Sequence, residues 1–369
     1  MAGPAVVRAW IEERINVEEL VAPLKEKTVP QHRFSHWYLL GGVTLFLFGV
    51  QVCTGLLLLL YYRPSTSEAY ESVQFITNRV QYGWLIRSMH SWSANLMVFM
   101  AFAHMFSVVF LRAYRKPREL TWFTGMVLLF LALGFGFSGY LLPWNTLSFF
   151  ATKVGTEVPG LVPWVGRPIL LFMRGGEDVT GATLARFFGL HVVVLPALTV
   201  TVLVVHLLLV QKFGMSVPPP SEARFSILAL KDPEKVSEVR REIKFFPNFA
   251  LRDLIAWCIA LAALLTLAAF YPSELGRKAD PFEPAPAGIK PEWYFLAQFQ
   301  TLRILPSKVF HIDGEIVGVL GFGLAGAVWM ALPLLEVRLG LHGFRWVRAG
   351  AVMALVYLGS LTIYAYFAT

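Results

Sequence analysis

Charge is scarce in this 369-residue chain: Asp, Glu, Lys and Arg make up 15% of it, against roughly a quarter in an average soluble domain. Hydrophobic residues fill 56% of the chain, and 30 residues are Phe. Soluble globular, disordered and disulfide-stapled classes are therefore excluded. Cysteine is almost missing. The two present, Cys53 and Cys258, fall inside apolar runs and read as small core residues rather than a disulfide or metal pair. No Cys-x-x-Cys-His occurs, which removes the usual signal for covalent haem attachment. The first apolar run starts too late and is too long for a signal peptide, and no internal repeat is visible. A polytopic membrane protein is the class that remains.

Seven apolar stretches could each cross a bilayer core, which takes about 20 helical residues. They lie near 34–61, 84–111, 120–141, 185–210, 250–271, 316–335 and 347–367, here spans A to G. The runs are continuous rather than alternating, so the predicted fold is all-α, with spans A to D forming a four-helix bundle. Before span A, Trp10, Ile11, Ile15 and Leu20 stand against Glu12, Arg14 and Glu18, the pattern of a helix lying on a membrane surface. Of the 32 Lys and Arg, 20 fall on the N-terminal side and 12 on the other, residues at span mouths being counted with the adjoining loop. The N-terminus is expected in the cytoplasm and the C-terminus outside. The net charge of +8 is then mostly topology, not a nucleic-acid surface. Pro218-Pro219-Pro220 opens a polar stretch that divides the chain into a segment 1–33, a four-helix unit 34–215, a linker 216–249 and a three-helix unit 250–369. Two long loops, 142–184 and 272–315, face the outer side, and the first is expected to carry short surface helices.

Four of the eight histidines sit inside spans: His90 and His104 in B, His191 and His206 in D. A spacing of 14 residues is about 21 Å along a helix and leaves two side chains within roughly 40° of one face. The 15 steps from His191 to His206 leave about 60°. Spans B and D run in the same direction, so His90 shares a layer with His191, and His104 with His206. Two layers of paired imidazoles suit two haems with two axial histidines each. Zinc or copper would want ligands within one turn, or three to four per site. Gly41 and Gly55 in A, and Gly125 and Gly139 in C, repeat the 14-residue interval and would let a flat macrocycle approach both backbones. Arg87 and Arg118 are placed to neutralise propionates, or else to anchor at the interface. Gly321-Phe322-Gly323-Leu324-Ala325-Gly326 matches G-x-G-x-x-G but lies in an apolar span with no strand before it, so it reads as helix packing.

In the second long loop, Pro291-Glu292-Trp293-Tyr294 reads as a helix start with its carboxylate at the positive end of the dipole. Trp293, Tyr294, Phe295 and Phe299 also make the surroundings apolar, which would raise the carboxyl pKa. Such an acid beside the outer histidine layer could accept a proton from a hydroquinone.

Taken together, His-x13-His, His-x14-His, Gly139-Tyr140-Leu141-Leu142-Pro143-Trp144 and Pro291-Glu292-Trp293-Tyr294 resemble cytochrome b of the quinol–cytochrome c oxidoreductase (cytochrome bc) family, over essentially the whole chain. The D-helix spacing and the seven spans are similar to the chloroplast-type and Gram-positive members, with cytochrome b and subunit IV fused through the proline linker. The resemblance implies two non-covalent b haems, the outer on His90 and His191, the inner on His104 and His206. It places Tyr140, the 143–172 helices, Glu292 and its neighbour Tyr294 at an outer quinol-oxidation site. An inner quinone site is implied near the starts of spans A and E, with His32, Lys212, Arg252 and Asp253 as candidates. The implied activity is a Q cycle, run by a subunit that is not active alone. The implied partners are a Rieske-type iron–sulfur protein, a c-type cytochrome, lipids and a second copy of the complex, in a bacterial inner membrane. A dihaem anchor of a dehydrogenase or hydrogenase is the alternative, but it would need neither Glu292 nor the long C–D loop. One departure matters. Where those relatives bear a cysteine that carries an additional haem, this chain has Leu39, and where they have Arg-Lys it has Gln211-Lys212. No covalent haem is therefore expected.

Overall fold

The computed structural model describes residues 3–15, 22, 25–217, 242–339 and 343–367. In chain order the helices are α1 (Pro4–Arg14), α2 (Leu39–Leu59), α3 (Ala69–Asn78), α4 (Gly83–Phe110), α5 (Glu119–Leu141), α6 (Thr146–Gly160) and α7 (Gly166–Arg174). They continue with α8 (Gly181–Gly189), α9 (Leu195–Phe213), α10 (Ala250–Phe270), α11 (Trp293–Ile304), α12 (Gly314–Met330), α13 (Leu332–Leu339) and α14 (Gly343–Phe367). Among the described residues six helices are long and apolar enough to span a membrane, and a bent pair, α12 with α13, brings the number to seven. That pair turns by 69°. Span F breaks there because Pro333 lacks an N–H and its ring collides with the carbonyl one turn earlier.

Helices α2, α4, α5 and α9 form the bundle, with α2 against α4, α4 against α5, and α5 against α9. The second half leans on it: α10 packs on α2 and α4, α12 on α5, and α14 on α4 and α11. Trp122 and Trp329 stitch the halves, donating to the Met330 carbonyl at 3.0 Å and to Met105 Sδ at 3.1 Å. Below them the buried Glu336 carboxylate accepts from Arg112 and from the Tyr114 hydroxyl.

Outside the spans the structure adds detail that the sequence pattern hides. Strand β1 (Thr28–Pro30) pairs antiparallel with β2 (Glu242–Lys244), so the N-terminal segment is tied to the chain just before α10. The end of the expected linker is thus a strand and a π turn, Phe245–Phe249, leading into α10; residues 218–241 lie outside the described residues. A second ribbon, β3 (Lys308–Val309) with β4 (Ile312–Asp313), precedes α12. Cys53 and Cys258 are exposed on the outward sides of α2 and α10, not core residues. Spans that are apolar all round carry no periodic signal saying which face packs inward.

The long C–D loop holds α6 and α7. Trp144, buried and at φ +49°, turns the chain sharply between α5 and α6. Asn145 then caps α6, its Oδ1 accepting from Ser148 N–H at 2.8 Å. Arg174 closes the pair. Its buried guanidinium donates to Thr156 Oγ1 at 2.7 Å and to the carbonyls of Glu177 at 2.7 Å and Lys153 at 2.6 Å. Replacing Arg174 with leucine leaves those acceptors unmatched and should cost about 3 kcal/mol. Thermal unfolding of the purified complex, with proteolysis of the 153–177 region, checks this; unchanged resistance to both would show that neighbouring side chains alone hold α6 on α7.

Candidate functional site

The four span histidines fall into two layers. His90 on α4 and His191 face each other with ring centroids 6.4 Å apart. Fourteen residues further along α4, His104 lines with His206 of α9 a cavity of about 720 Å³. Each imidazole lies against one glycine. A Cβ on Gly55 would stand 3.3 Å from His90 Cε1, and on Gly139 2.5 Å from His191 Cε1. On Gly41 it would stand 3.1 Å from His104 Cε1, and on Gly125 3.2 Å from His206 Cε1. At Gly139 even one methyl group collides with the ring.

The extra residue between His191 and His206 is taken up locally. Leu190–Val194 form a π turn between α8 and α9, with Leu195 N–H donating back to the Leu190 carbonyl. Pro196 follows at once and cannot donate to the Val192 carbonyl. The wider turn absorbs one residue, so the roughly 60° offset of a regular helix is reduced.

The two arginines are tied to backbone. Arg87 donates to the carbonyls of Ser273 at 2.5 Å and Glu274 at 2.8 Å, holding the E–F loop on the end of α4. Arg118 donates to the carbonyls of Gly214 at 3.1 Å and Phe213 at 3.0 Å, where α9 ends, and it also lines the cavity. Helix α4 has two working faces. Ser88, Trp92 and Asn95 lie within about 40° of the point opposite His90. Ser88 Oγ accepts from Ser273 N–H at 3.0 Å, Trp92 donates to the Tyr271 carbonyl at 2.7 Å, and Asn95 accepts from Trp293 at 2.8 Å. This face fixes the E–F loop, and through it Glu292, beside the His90 layer.

Glu292 stands at the start of α11, yet its side chain makes no capping hydrogen bond. Burial raises its pKa above the ordinary carboxyl value. Tyr294 and Tyr140 are its neighbours: burial, then Glu292 and Tyr140, push the Tyr294 phenol well above its usual range. Phe137 packs edge-on against Phe295 and also meets Phe187, walling the cluster with aromatic surface.

At the other end, Asp253 is the one inner-site candidate that lines the cavity; His32, Lys212 and Arg252 do not. Asp253 Oδ1 is buried without a hydrogen-bond partner among the described residues. His32 reaches the cavity through Tyr38. The ring accepts from Phe34 N–H at Nδ1 (3.1 Å), so its Nε2–H donates to the Tyr38 hydroxyl (2.5 Å), which donates to the Ser216 carbonyl (2.5 Å). Burial and the neighbouring His36 lower the His32 pKa. Arg252 is exposed and donates to Gln31 at 3.3 Å; Lys212 is exposed over the Phe213 ring.

Comparison with known proteins matches the family described as Cytochrome b/b6/petB to residues 24–214, and Cytochrome b(C-terminal)/b6/petD to residues 278–367. A cytochrome bc complex cytochrome b subunit of Chlorobaculum thiosulfatiphilum is 48% identical over 89% of this chain and 73% of its own. A chain of a solved hyperthermophilic respiratory Complex III superposes with a TM-score of 0.78 at 27% identity, covering 97% of this chain and 98% of that one. The chain belongs to the cytochrome b family.

Cytochrome b implies haem b, and the residues present fit that group. A metal–imidazole nitrogen bond is about 2 Å, so two coaxial imidazoles sharing one ion have centroids about 6 Å apart, close to the observed separation. The four glycines make room for the four imidazoles themselves, each ring filling the space a Cβ would take. Among the described residues no cluster of three or more His, Cys, Asp or Glu offers a competing metal site. Sequence reasoning missed the hydroxyls of cytochrome b that orient these rings. Thr54 Oγ1 lies 2.9 Å from His90 Nδ1, Thr124 Oγ1 2.9 Å from His206 Nδ1, and Ser138 Oγ 3.1 Å from His191 Nδ1. Their signal was in plain view: each stands immediately before one of the spaced glycines.

Proposed function

We propose that this chain is the quinol-oxidising and quinone-reducing subunit of its cytochrome bc complex, fused from cytochrome b and subunit IV units through the proline linker. The observation that carries the reading is the pair of glycine-cradled histidine layers, with the half-buried Glu292 carboxylate, which makes no capping bond, near one and a largely apolar cavity reached by Asp253 around the other. His90 with His191, and His104 with His206, would hold the two haems, which would supply one-electron transfer across the membrane interior. Glu292 accepts a proton from quinol at the outer end, and the Tyr140–Tyr294 pair and the Phe137–Phe295 wall shape the space and exclude water. One quinol electron leaves to a Rieske-type iron–sulfur partner and a c-type cytochrome. The other would be taken up at the His90 layer and passed inward to quinone at the inner side, where Asp253 and the His32–Tyr38 pair are placed to supply protons. Lysine and arginine asymmetry supports an N-terminus on the inner side; the bacterial inner membrane and the homodimer of the complex rest on the resemblance to cytochrome bc complexes alone.

An oxidant pulse given to the purified complex in the presence of quinol tests this. Removing one electron through the iron–sulfur partner should drive extra reduction of the b haems. Reduction that does not respond to the oxidant would instead match a relay that never splits the electron pair.

The covalent additional haem of some relatives should be lacking. Leu39, the first residue of α2, offers no thiol, and Cys53 lies 14 residues further along, about 21 Å deeper at helical rise. A denaturing gel stained for haem should show no colour at the mass of this polypeptide; persistent colour there would contradict the assignment.

A further inference from the structure

The four imidazoles of the two layers are not held alike. Three pass their Nδ1 to a hydroxyl, and each hydroxyl is itself anchored one turn back: Thr54 donates to the Val50 carbonyl (2.7 Å), Thr124 to Leu120 (2.9 Å) and Ser138 to Gly134 (2.8 Å). With the hydroxyl proton committed to a carbonyl, the oxygen must accept, so Nδ1 carries the ring proton and Nε2 is left with its lone pair for iron. His104 has no such support. Its Nδ1 is buried with no hydrogen-bond partner among the described residues. His104 still lies against its glycine at a similar distance, although its Nε2 also approaches the Cβ position of Gly41, at 3.3 Å. A Cβ on Gly41 would face His104 Cε1 and Nδ1 at 3.1 and 3.5 Å, as one on Gly55 would face those atoms of His90 at 3.3 and 3.9 Å. The residue before Gly41, where the other three glycines are preceded by Thr or Ser, is Leu40.

We infer that Leu40 is a positioning residue that sets the potential of the inner haem by withholding a hydroxyl from His104. This rests on the two-haem reading above. A hydrogen bond donated from Nδ1–H makes the imidazole a stronger electron donor and favours the oxidised metal. The outer layer has two such braces, on His90 and His191. The inner layer has one, on His206. The inner haem is therefore easier to reduce by one brace, and electrons arriving at the His90 layer are biased toward the His104 layer.

The test uses isosteric pairs in the purified complex, read by optical redox titration. Leu40→Thr supplies the missing hydroxyl, with the His36 carbonyl one turn back to anchor it, and Leu40→Val supplies the same shape without it. Leu40→Thr should shift the inner component's reduction equilibrium down about fivefold, about 40 mV at 59 mV per tenfold for one electron, and leave the outer component in place. Leu40→Val should not separate from the wild type in this way. Thr54→Val should move the outer component the opposite way by a similar factor, and it keeps the inference open to refutation if Leu40→Thr fails to assemble. Equal shifts in Leu40→Thr and Leu40→Val, or an unmoved outer component in Thr54→Val, would overturn the inference. Fewer than two b-type components in the wild type would overturn the two-haem reading, and this inference with it.

Discussion

Replacing His104 with leucine should delete the same b-haem optical component as replacing His206, while His90 and His191 variants should both delete the other. The expected effect is complete loss of one of two components, because an iron that two imidazoles would hold would lose its low-spin state with only one. The pairing follows from direction: α4 and α9 run parallel, so ligands early in each helix share a layer. The observed 6.4 Å approach of the His90 and His191 rings, and the common cavity of His104 and His206, give that pairing its geometry. Visible spectra of the four single variants, each reduced chemically, decide it. If His90 paired phenotypically with His206, the layers would be crossed and the path of electrons through the chain would have to be redrawn.

Glu292→Gln should slow quinol-driven haem reduction by roughly a hundredfold and leave both haem spectra intact. The pH dependence gives the sign. Burial raises the Glu292 pKa, so at acid pH the group is protonated and cannot take the quinol proton. As pH rises through that raised pKa the carboxylate forms and the rate should climb. The glutamine variant loses this ascending limb, so the two proteins should differ most at neutral and alkaline pH and converge at low pH. Stopped-flow reduction across the pH range measures it. Rates that coincide at every pH would leave Glu292 as no more than the residue that leads into α11.

How much of this could be read from sequence depends on what each residue type says alone. The histidines were legible because imidazole is rare in a bilayer core and a 14-residue interval has geometric meaning. The glycines were legible because they repeat that interval. The π turn at Leu190–Val194 was not, although Pro196 and the one-residue surplus both pointed to it. Hydroxyls at 54, 124 and 138 were hidden because Thr and Ser in a span ordinarily bond their own backbone, and here they do that as well as accept from histidine. Faces of apolar helices were illegible in principle: Cys53 and Cys258 could not be assigned inward or outward when every neighbour is apolar. The inner cavity joins segments far apart in the chain. Tyr38, Ser216 and Asp253 meet only because β1 pairs with β2 and α10 packs on α2.

On the proposed function, this chain would carry two b haems in series, each between one histidine of α4 and one of the α8–α9 span. The iron positions in the purified complex, located by anomalous scattering or high-resolution electron microscopy, test it most directly. Two irons are expected about 21 Å apart along α4, one between His90 and His191 and the other between His104 and His206, and none attached to residue 39 or Cys53. An iron bound by histidines of different layers, a single iron, or a third one joined to this chain would contradict it.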